Sequence, residues 1–422
     1  MAKYAIDLTP LKKYPDFRNL WTAGLISYFG SMITYVALPF QLKELTGSYL
    51  AVGLLGVVEI VPLIIFGLYG GVLADSVDRK KMVWATEAGA LILVLVLLGN
   101  SLLGSPTTLA IYLVAALFAV VDGLQRPSMD AMLPRLVSHE DLPAASALLS
   151  LRWQLGVIVG PTIGGIIFST MSVSAGYVVD IATYILSLLF LARVRSIPPS
   201  KEAEKPSLAA LLDGVKYAFR RQDLLGTYII DLAAMTLAMP MALYPFWADE
   251  LNAPWALGMF YAAITVGSVI VTLTSGWTRT YRFHGRAVIL AAMGWGLAIA
   301  AAGMSNSLIL VLLFLTIAGA SDMVSALFRG NIWNQTIPDT LRGRLAGIEL
   351  LSYSVGPLAG QLRAASMAAA TTLSISVTSG GLMCVVVVAL LAIFLPKMWK
   401  YDVQTNEFAV REREIRKNRE IS

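Results

Sequence analysis

The chain is poor in the residue types from which enzymes and metal centres are usually built. Its 422 residues include one cysteine and two histidines. Cys384 has no second cysteine with which to form a disulfide, and a cluster of thiolate metal ligands is excluded. No GxxxxGKS or GxxxxGKT sequence is present, so a nucleotide-binding loop of that kind is not expected. We therefore expect no metal, no cofactor and no enzymatic activity.

Charged residues are also scarce, at 14% of the chain, whereas 57% of the residues are hydrophobic and the mean hydropathy is +0.70. A helix needs ~20 residues to cross a hydrocarbon core about 30 Å thick. Roughly a dozen apolar stretches are present, and most reach that length. The sequence thus predicts an all-α membrane protein with twelve transmembrane helices. The predicted spans are 19–42, 50–74, 82–102, 108–132, 144–169, 173–194, 224–248, 254–278, 286–304, 308–336, 345–369 and 373–395.

The basic residues predict the orientation of the chain. Most of the 32 lysines and arginines lie before the first span, after the second, fourth, eighth and tenth spans, in the central linker and in the tail. The opposite side offers only Lys43 and Arg363. The positive-inside rule therefore places both termini and the linker in the cytoplasm, beneath an inner (plasma) membrane. The basic pI then reflects topology, and nucleic acid is not an expected partner. The first 18 residues are polar and mixed, so no cleavable signal peptide is expected.

Two halves of similar organisation are predicted on either side of the central linker. Gly71 and Pro134 in the first half recur as Gly276 and Pro338 in the second at nearly the same offset. Although glycine and proline are common in membrane helices, their ordered recurrence favours two pseudo-symmetric six-helix bundles. The linker begins with proline, serine and charges and then becomes amphipathic at helical spacing. The predicted organisation is a cytoplasmic segment over 1–18, a bundle over 19–195, a linker with an amphipathic helix over 196–223, a bundle over 224–395 and a cytoplasmic tail over 396–422.

The strongest local motif follows the second span, where Gly71–Lys81 reads GVLADSVDRKK. A glycine at the end of a span permits close approach of another helix, and Asp75 can face the positive end of a neighbouring helix. An ordinary basic turn that fixes topology is the alternative. The motif resembles the signature of the major facilitator superfamily, G-x-L-A-D-x-x-G-R-K, with Asp78 in place of the usual glycine. The resemblance implies alternating access about a central cavity. The gating residues it implies are Gly71, Asp75, Asp78, Arg79 and Lys80.

A second motif lies in the fifth span. Gly156, Gly160 and Gly164 are four residues apart, which makes one helix face flat enough for tight packing, and Pro161 can bend the helix. A packing face with a kink is the simplest interpretation. The stretch also resembles the G-x-x-x-G-P-x-x-G-G motif of proton-coupled exporters in the superfamily. That resemblance implies export and gives an antiporter-type role to Gly156, Gly160, Pro161, Gly164 and Gly165.

Shorter stretches point to one branch of the superfamily. Leu11–Trp21, Leu109–Leu113 and Phe260–Gly267 look like the enterobactin-exporter branch, to which macrolide efflux pumps are close relatives. The resemblance implies a monomer in the lipid bilayer that exports a small amphiphilic molecule, a siderophore such as enterobactin or a drug, in exchange for protons. The alternatives are a macrolide or multidrug pump without a siderophore role, and a proton-independent facilitator or importer. A non-transporting membrane sensor or structural subunit is the alternative from a different class.

Ionisable residues inside predicted spans are the candidates for proton coupling, because each costs a few kcal/mol to bury. Asp122 and Arg126 have the spacing of an intrahelical ion pair. Asp322 and Arg329 share a face of span ten, but their separation of seven residues predicts that they do not touch. A mobile arginine can switch the proton affinity of a nearby carboxylate, although simple neutralisation between helices is an equally good interpretation. The candidates are Asp122 with Arg126, then Asp322 with Arg329, then Glu59 and Asp231, with Arg152 as a further base.

Aromatic, hydroxyl and methionine side chains at helical spacing are the candidates for a substrate cavity. Trp21, Tyr28 and Tyr35 are seven residues apart in the first span, with Ser31 on the neighbouring stripe. Such a surface suits an aromatic or amphiphilic solute, although helix packing or lipid contact explains it equally well. The cavity candidates are Trp21, Tyr28, Ser31 and Tyr35 in span one and Tyr228, Met235 and Met239 in span seven.

Overall fold

The computed structural model describes residues 7–198 and 216–421. These residues form α-helices joined by turns and short 3-10 segments, and no β-strand occurs among them. Most of the predicted amphipathic linker helix falls on 199–215 and so lies outside the described residues. Its last part, over 216–219, is helical.

The described residues divide into two compact units. Residues 7–198 and Ala248–Ala262 belong to the first, and residues 216–247 and 263–421 belong to the second. The helices up to the linker are α1 (Thr9–Lys13), α2 (Pro15–Thr46), α3 (Tyr49–Ser76), α4 (Arg79–Ser101), α5 (Thr108–Leu136), α6 (Leu142–Thr170) and α7 (Val173–Ala192). Those after it are α8 (Gln222–Ala238), α9 (Tyr244–Glu250), α10 (Leu257–Leu273), α11 (His284–Gly303), α12 (Leu308–Thr336), α13 (Asp339–Ala370), α14 (Leu373–Phe394), α15 (Pro396–Trp399) and α16 (Glu407–Ile421).

The prediction of an all-helical membrane protein is confirmed. Eleven segments of the described chain are helical, long enough and apolar enough to cross a membrane. The remaining long helix, α13, has 32 residues, which at 1.5 Å per residue is about 48 Å. Its length is therefore sufficient for a twelfth crossing, which stays a prediction. The predicted span over 224–248 is not one continuous α-helix, because α8 ends at Ala238, two residues before Pro240.

Local sequence explains several helix ends. Ser48, Ser172 and Thr372 each accept a hydrogen bond from the backbone N–H three residues later, which caps α3, α7 and α14. Gly47 ends α2 with φ of +58°, a left-handed conformation that glycine adopts without strain. Helices α2 and α3 are therefore joined by two residues only, each with a defined backbone role.

Within the first unit, α3 and α5 cross with almost no space between their backbones. A Cβ atom on Gly70 would overlap the carbonyl oxygen of Gly123. A Cβ atom on Gly123 would lie 2.7 Å from the backbone nitrogen of Gly67. These three glycines let the second and fourth long helices of the unit pack backbone to backbone.

The second unit contains the same arrangement between α10 and α12. A Cβ atom on Gly267 would overlap the carbonyl oxygen of Thr316, and one on Gly319 would overlap that of Ile264. The second and fourth long helices of each half thus meet through glycine. This shared crossing is a structural counterpart of the recurring landmarks in the sequence.

The glycine crossing in the second unit can be tested on a single helix. We expect Gly319→Ala to lower the free energy of unfolding by about 1 to 3 kcal/mol, because the new methyl group meets backbone atoms that cannot rotate away. Gly330→Ala, also in α12, is the matched control, since a Cβ atom there meets nothing within 4 Å. Thermal unfolding of both purified variants in the same detergent measures the difference. Equal melting temperatures would contradict the proposed crossing.

Candidate functional site

The predicted ion pair of the first unit is present and accessible. The Arg126 guanidinium lies 3.9 Å from the Asp122 carboxylate, one turn apart on α5, and the two side chains are 45% and 54% exposed. Glu59 on α3 is half-buried and lies within electrostatic range of Asp122. Tyr28 on α2 interacts electrostatically with Asp122, Arg126 and Arg152. Three helices, α3, α5 and α6, therefore bring the predicted coupling residues of this unit together around Tyr28 of α2.

The glycines of α6 determine how this cluster is assembled. A Cβ atom on Gly156 would overlap the ring of Tyr28, and one on Gly160 would lie 2.6 Å from Cβ of Met32. A Cβ atom on Gly164 would lie 3.4 Å from Cα of Ile33. The three glycines thus form the contact face between α6 and α2, which holds Tyr28 in position.

Helices α2 and α6 also position Arg152. The far end of α6 makes a second close contact, with Gly258. A Cβ atom on Gly24 of α2 would overlap the Arg152 guanidinium, so this glycine provides the space that the arginine occupies. Near the other end of α6, Gly165 and the carbonyl group of Pro161 lie against the backbone of Gly258. Every residue of the predicted glycine motif in α6 thus lies at a close packing contact within the first unit.

The aromatic stripe of α2 extends along this unit in three different environments. The Trp21 indole N–H donates to the carbonyl oxygen of Leu148 at 2.8 Å. Tyr28 lies in the charged cluster, and Tyr35 packs edge-on against Tyr261, with ring centroids 6.0 Å apart. Ser31 donates to the carbonyl oxygen of Tyr28 at 3.0 Å. Their role as cavity-lining residues stays a prediction.

Two buried acids that the sequence analysis did not select lie beside this stripe. Glu87 on α4 accepts hydrogen bonds from Ser27 at 3.2 Å, Gln125 at 2.8 Å and Ser187 at 3.0 Å. These donors come from α2, α5 and α7, so one carboxylate joins four helices. The spacing of opposite charges along a helix predicts ion pairs only. It does not indicate a glutamate such as Glu87, whose hydrogen-bond donors are neutral.

The second of these acids is Asp180 on α7, which is fully buried. Its carboxylate accepts hydrogen bonds from Thr34 of α2 and from Thr183, the latter at 3.1 Å. Gly30 faces it, where a Cβ atom would overlap both Asp180 and Thr183. Ser27 and Thr34 are seven residues apart on α2, and each meets one of the two acids. That hydroxyl spacing is the signal that could have identified them.

The second unit contains a buried ion pair with a third, more exposed member. Arg329 of α12 forms an ion pair with Asp231 of α8, and the two side chains are 7% and 4% exposed. The same guanidinium also lies 3.9 Å from Asp322, which is 33% exposed. The prediction that Asp322 and Arg329 are too far apart to touch is wrong. Side chains lean toward the amino end of a helix, so the long arginine reaches back along α12 toward Asp322.

The predicted cavity residues of span seven are buried in the packing of the second unit. The ring of Tyr228 stacks on Trp333 at 5.6 Å between centroids. Met235 and Met239 lie against α13, where Cβ atoms on Gly356 and Gly360 would approach them within 3 Å. Met239 also lies at the break after α8. Their assignment to a substrate cavity stays a prediction.

Asp78 of the gating motif caps the amino end of α4. Its carboxylate accepts hydrogen bonds from the backbone N–H of Lys81, at 3.1 Å, and from the Ser196 hydroxyl. Its φ is −58°, which any residue adopts, so glycine is not needed where the superfamily signature has one. Burial raises the pKa of this carboxyl, but the hydrogen bonds outweigh it and the pKa lies below its ordinary value.

The next two residues of the motif attach α4 to the end of α7 in the same unit. The Arg79 backbone N–H donates to the carbonyl oxygen of Ile197, and the Lys80 ammonium donates to that of Ala192, both at 3.0 Å. The packing around Gly71 and the side chain of Asp75 lie outside the described part of the structure. The gating role of the motif therefore stays a prediction.

The comparisons with known proteins identify the family. A family model described as transmembrane secretion effector, within the major facilitator superfamily, matches residues 5–419, which is nearly the whole chain. The chain belongs to this family. Among the curated proteins similar to it are the enterobactin exporters EntS of Shigella boydii serotype 18 and Escherichia coli O81. Each is 29% identical over 400 residues, which cover 94% of this chain and 96% of the relative.

Solved structures support the same fold. A mutant of the nucleoside transporter NupG has a TM-score of 0.76 at 12% identity and covers 91% of this chain and 100% of its own. A mutant of the peptide transporter POT with alafosfalin has a TM-score of 0.70 at 12% identity and covers 92% and 95%. The family member is thus a transporter of the major facilitator superfamily, a multi-pass inner-membrane protein with a small-molecule substrate, and not an enzyme.

The contribution of the buried ion pair in the second unit to the free energy of unfolding can be measured by substitution. We expect Asp231→Ala to lower the free energy of unfolding by about 3 to 5 kcal/mol, because it removes the buried partner of Arg329. Asp322→Ala is the matched control on the same guanidinium, and its loss is expected to stay below about 1 kcal/mol because Asp322 is partly exposed. Unfolding of the purified variants measures both values. Equal losses, or a larger loss for Asp322→Ala, would contradict the assignment of Asp231 as the main partner of Arg329.

Proposed function

We propose that this chain is a secondary active transporter that exports a small amphiphilic molecule, a siderophore such as enterobactin or a drug, by proton antiport. The observation that carries the proposal is the 29% identity to enterobactin exporters over 94% of the chain. Membership of the family supports movement of solute out of the cytoplasm. A monomer of two six-helix halves, over 19–195 and 224–395, would alternate access to a shared cavity in the lipid bilayer.

The proposed orientation has both termini and the linker in the cytoplasm. The basic residues of the first unit near the ends of α3, α5 and α7 support it, because they lie on one side of the predicted spans. An even number of crossings, with α13 as the twelfth, is consistent with this orientation, because it leaves both termini on the same side of the membrane.

Asp122 is the carboxylate that we favour for proton exchange. A coupling group has to meet water in at least one state, and Asp122 is more than half exposed. Its arginine partner lies at 3.9 Å, so the pair can separate without breaking a close hydrogen bond. Asp231 is a weaker candidate, because its ion pair with Arg329 is buried on both sides. Glu59 is the next candidate, since it lies near Asp122.

Transport by everted membrane vesicles tests the proposed activity. With an acidic lumen, we expect labelled enterobactin to accumulate inside vesicles that contain the chain, and a protonophore to abolish the accumulation. Vesicles without the chain are the control. Accumulation of a macrolide but not of enterobactin would favour the drug-pump alternative. Accumulation that a protonophore does not affect would indicate a facilitator. Movement of neither compound would contradict transport of this class.

The role of Asp122 has its own test in the same vesicles. We expect Asp122→Asn to reduce gradient-driven accumulation at least about tenfold, because the amide cannot bind and release a proton. Exchange of labelled for unlabelled substrate without a gradient is expected to persist. Glu140→Gln, at an exposed position in the connection between α5 and α6, is the matched control. If Asp122→Asn retains gradient-driven efflux, the assignment is wrong.

A further inference from the structure

A cavity of about 670 Å³ lies at the end of the second unit that carries the tail. It is formed where the connection from α10 to α11, the last turns of α12 and the tail residues around Val403 come together. Its lining residues are Thr278, Arg279, His284, Asn331, Gln335, Val403, Gln404 and Arg413. None of the transport residues discussed above belongs to it, so the cavity requires a separate explanation.

The lining is cationic and contains no acid. Arg279 and Arg413 contribute two guanidinium groups, and neither forms an ion pair with any of the described side chains. The Arg413 guanidinium donates to the carbonyl oxygen of Val403 at 3.2 Å, which holds it at the cavity. Asp402, the nearby acid, forms its ion pair with Arg282 at 3.2 Å. The positive charge of the cavity is therefore not neutralised within the described part of the chain.

A cavity of the first unit provides an internal contrast. It measures about 410 Å³ and is lined by Arg195 and Arg135 together with Asp16. The Arg195 guanidinium lies 3.6 Å from the Asp16 carboxylate and donates to the carbonyl oxygen of Arg135 at 2.7 Å. The arginine in that cavity is thus already paired. The cavity of the second unit lacks such an acid and remains available for an anion.

His284 gives the cavity a fixed polar wall. The side chain is 3% exposed and lies between the rings of Phe328 and Tyr401, at centroid distances of 5.1 and 5.9 Å. Its Nδ1 atom meets no partner at full hydrogen-bond geometry in the described part of the chain. Asn331 and Gln335 add amide groups on α12. Packing holds the imidazole in place, and amide donors lie nearby. Such a set of groups suits an oxyanion, which can accept several hydrogen bonds.

We propose that this cavity binds a phosphate group through Arg279 and Arg413. Guanidinium groups match the geometry of phosphate oxygens and form charge-assisted hydrogen bonds with them. Leu273 and Trp277 immediately before the cavity are exposed, at 82% and 45%, and tryptophan favours the membrane interface. A phosphate on a lipid headgroup would place its acyl chains beside these residues. A soluble phosphate would use the same arginines without them.

Binding measurements on the purified full-length chain test the site with two probes. The first is inorganic phosphate in detergent, and the second is phosphatidylglycerol in phosphatidylcholine nanodiscs, detected as retained lipid by native mass spectrometry. We expect the double variant Arg279→Gln/Arg413→Gln to bind at least about tenfold more weakly whichever of the two probes the unchanged chain binds, since two charge-assisted contacts are lost. Thermal unfolding without either probe checks that the variant is folded.

The matched control removes equal charge from neighbouring positions. Arg220→Gln/Arg411→Gln changes two exposed arginines of the same unit, one of them in the same tail helix, and neither lines the cavity. Binding of phosphatidylglycerol that only the cavity variant weakens would indicate a lipid headgroup, and the same result with inorganic phosphate would indicate a soluble ligand. Equal weakening by both variants, or binding of neither probe, would overturn the proposal. These outcomes do not depend on which solute the chain exports.

Discussion

Polar side chains within these helical units must find partners in the protein, because hydrocarbon provides none. The structure meets this requirement in two ways. In the second unit Arg329 and Asp231 neutralise each other. In the first, Glu87 accepts hydrogen bonds from two hydroxyl groups and an amide. The consequence for mechanism differs, since a buried ion pair fixes the charge state of both members, whereas a carboxylate that is held by neutral donors can exist with or without its proton.

The two units differ in where the accessible charge lies. The first unit leaves Asp122 and Arg126 exposed, with their charged groups 3.9 Å apart. The second unit directs Arg329 toward a buried acid, and Asp322 contributes only a longer contact to the same guanidinium. Protonation is easier in the first arrangement, because a proton added to the acid of a buried ion pair leaves the charge of its arginine uncompensated. The asymmetry supports proton exchange in the first unit and a structural role for the pair in the second.

Hydropathy and charge predicted the helical membrane fold, because each span has to satisfy its own backbone in lipid whatever its neighbours are. The partners of individual side chains depend instead on helix rotation and on side-chain length, which a spacing rule does not contain. Arg329 reached Asp322 although seven residues separate them. Tyr228 proved to stack on Trp333, a contact that needs the relative position of α8 and α12. Glu87 and Asp180 lie inside predicted spans but were not among the coupling candidates, because their hydrogen-bond partners are neutral.

Glycine contacts explain why the halves share a backbone arrangement while their charges differ. At the crossings of α3 with α5 and of α10 with α12, backbone atoms lie where a Cβ atom would be, so a larger residue would force the helices apart. Charged positions face no such restriction, provided that each buried charge keeps a partner. The same reasoning applies to Asp78, where φ is ordinary and a side chain is tolerated. Glycine is required in this fold where backbones meet, and at a helix start an aspartate can replace it and add a cap.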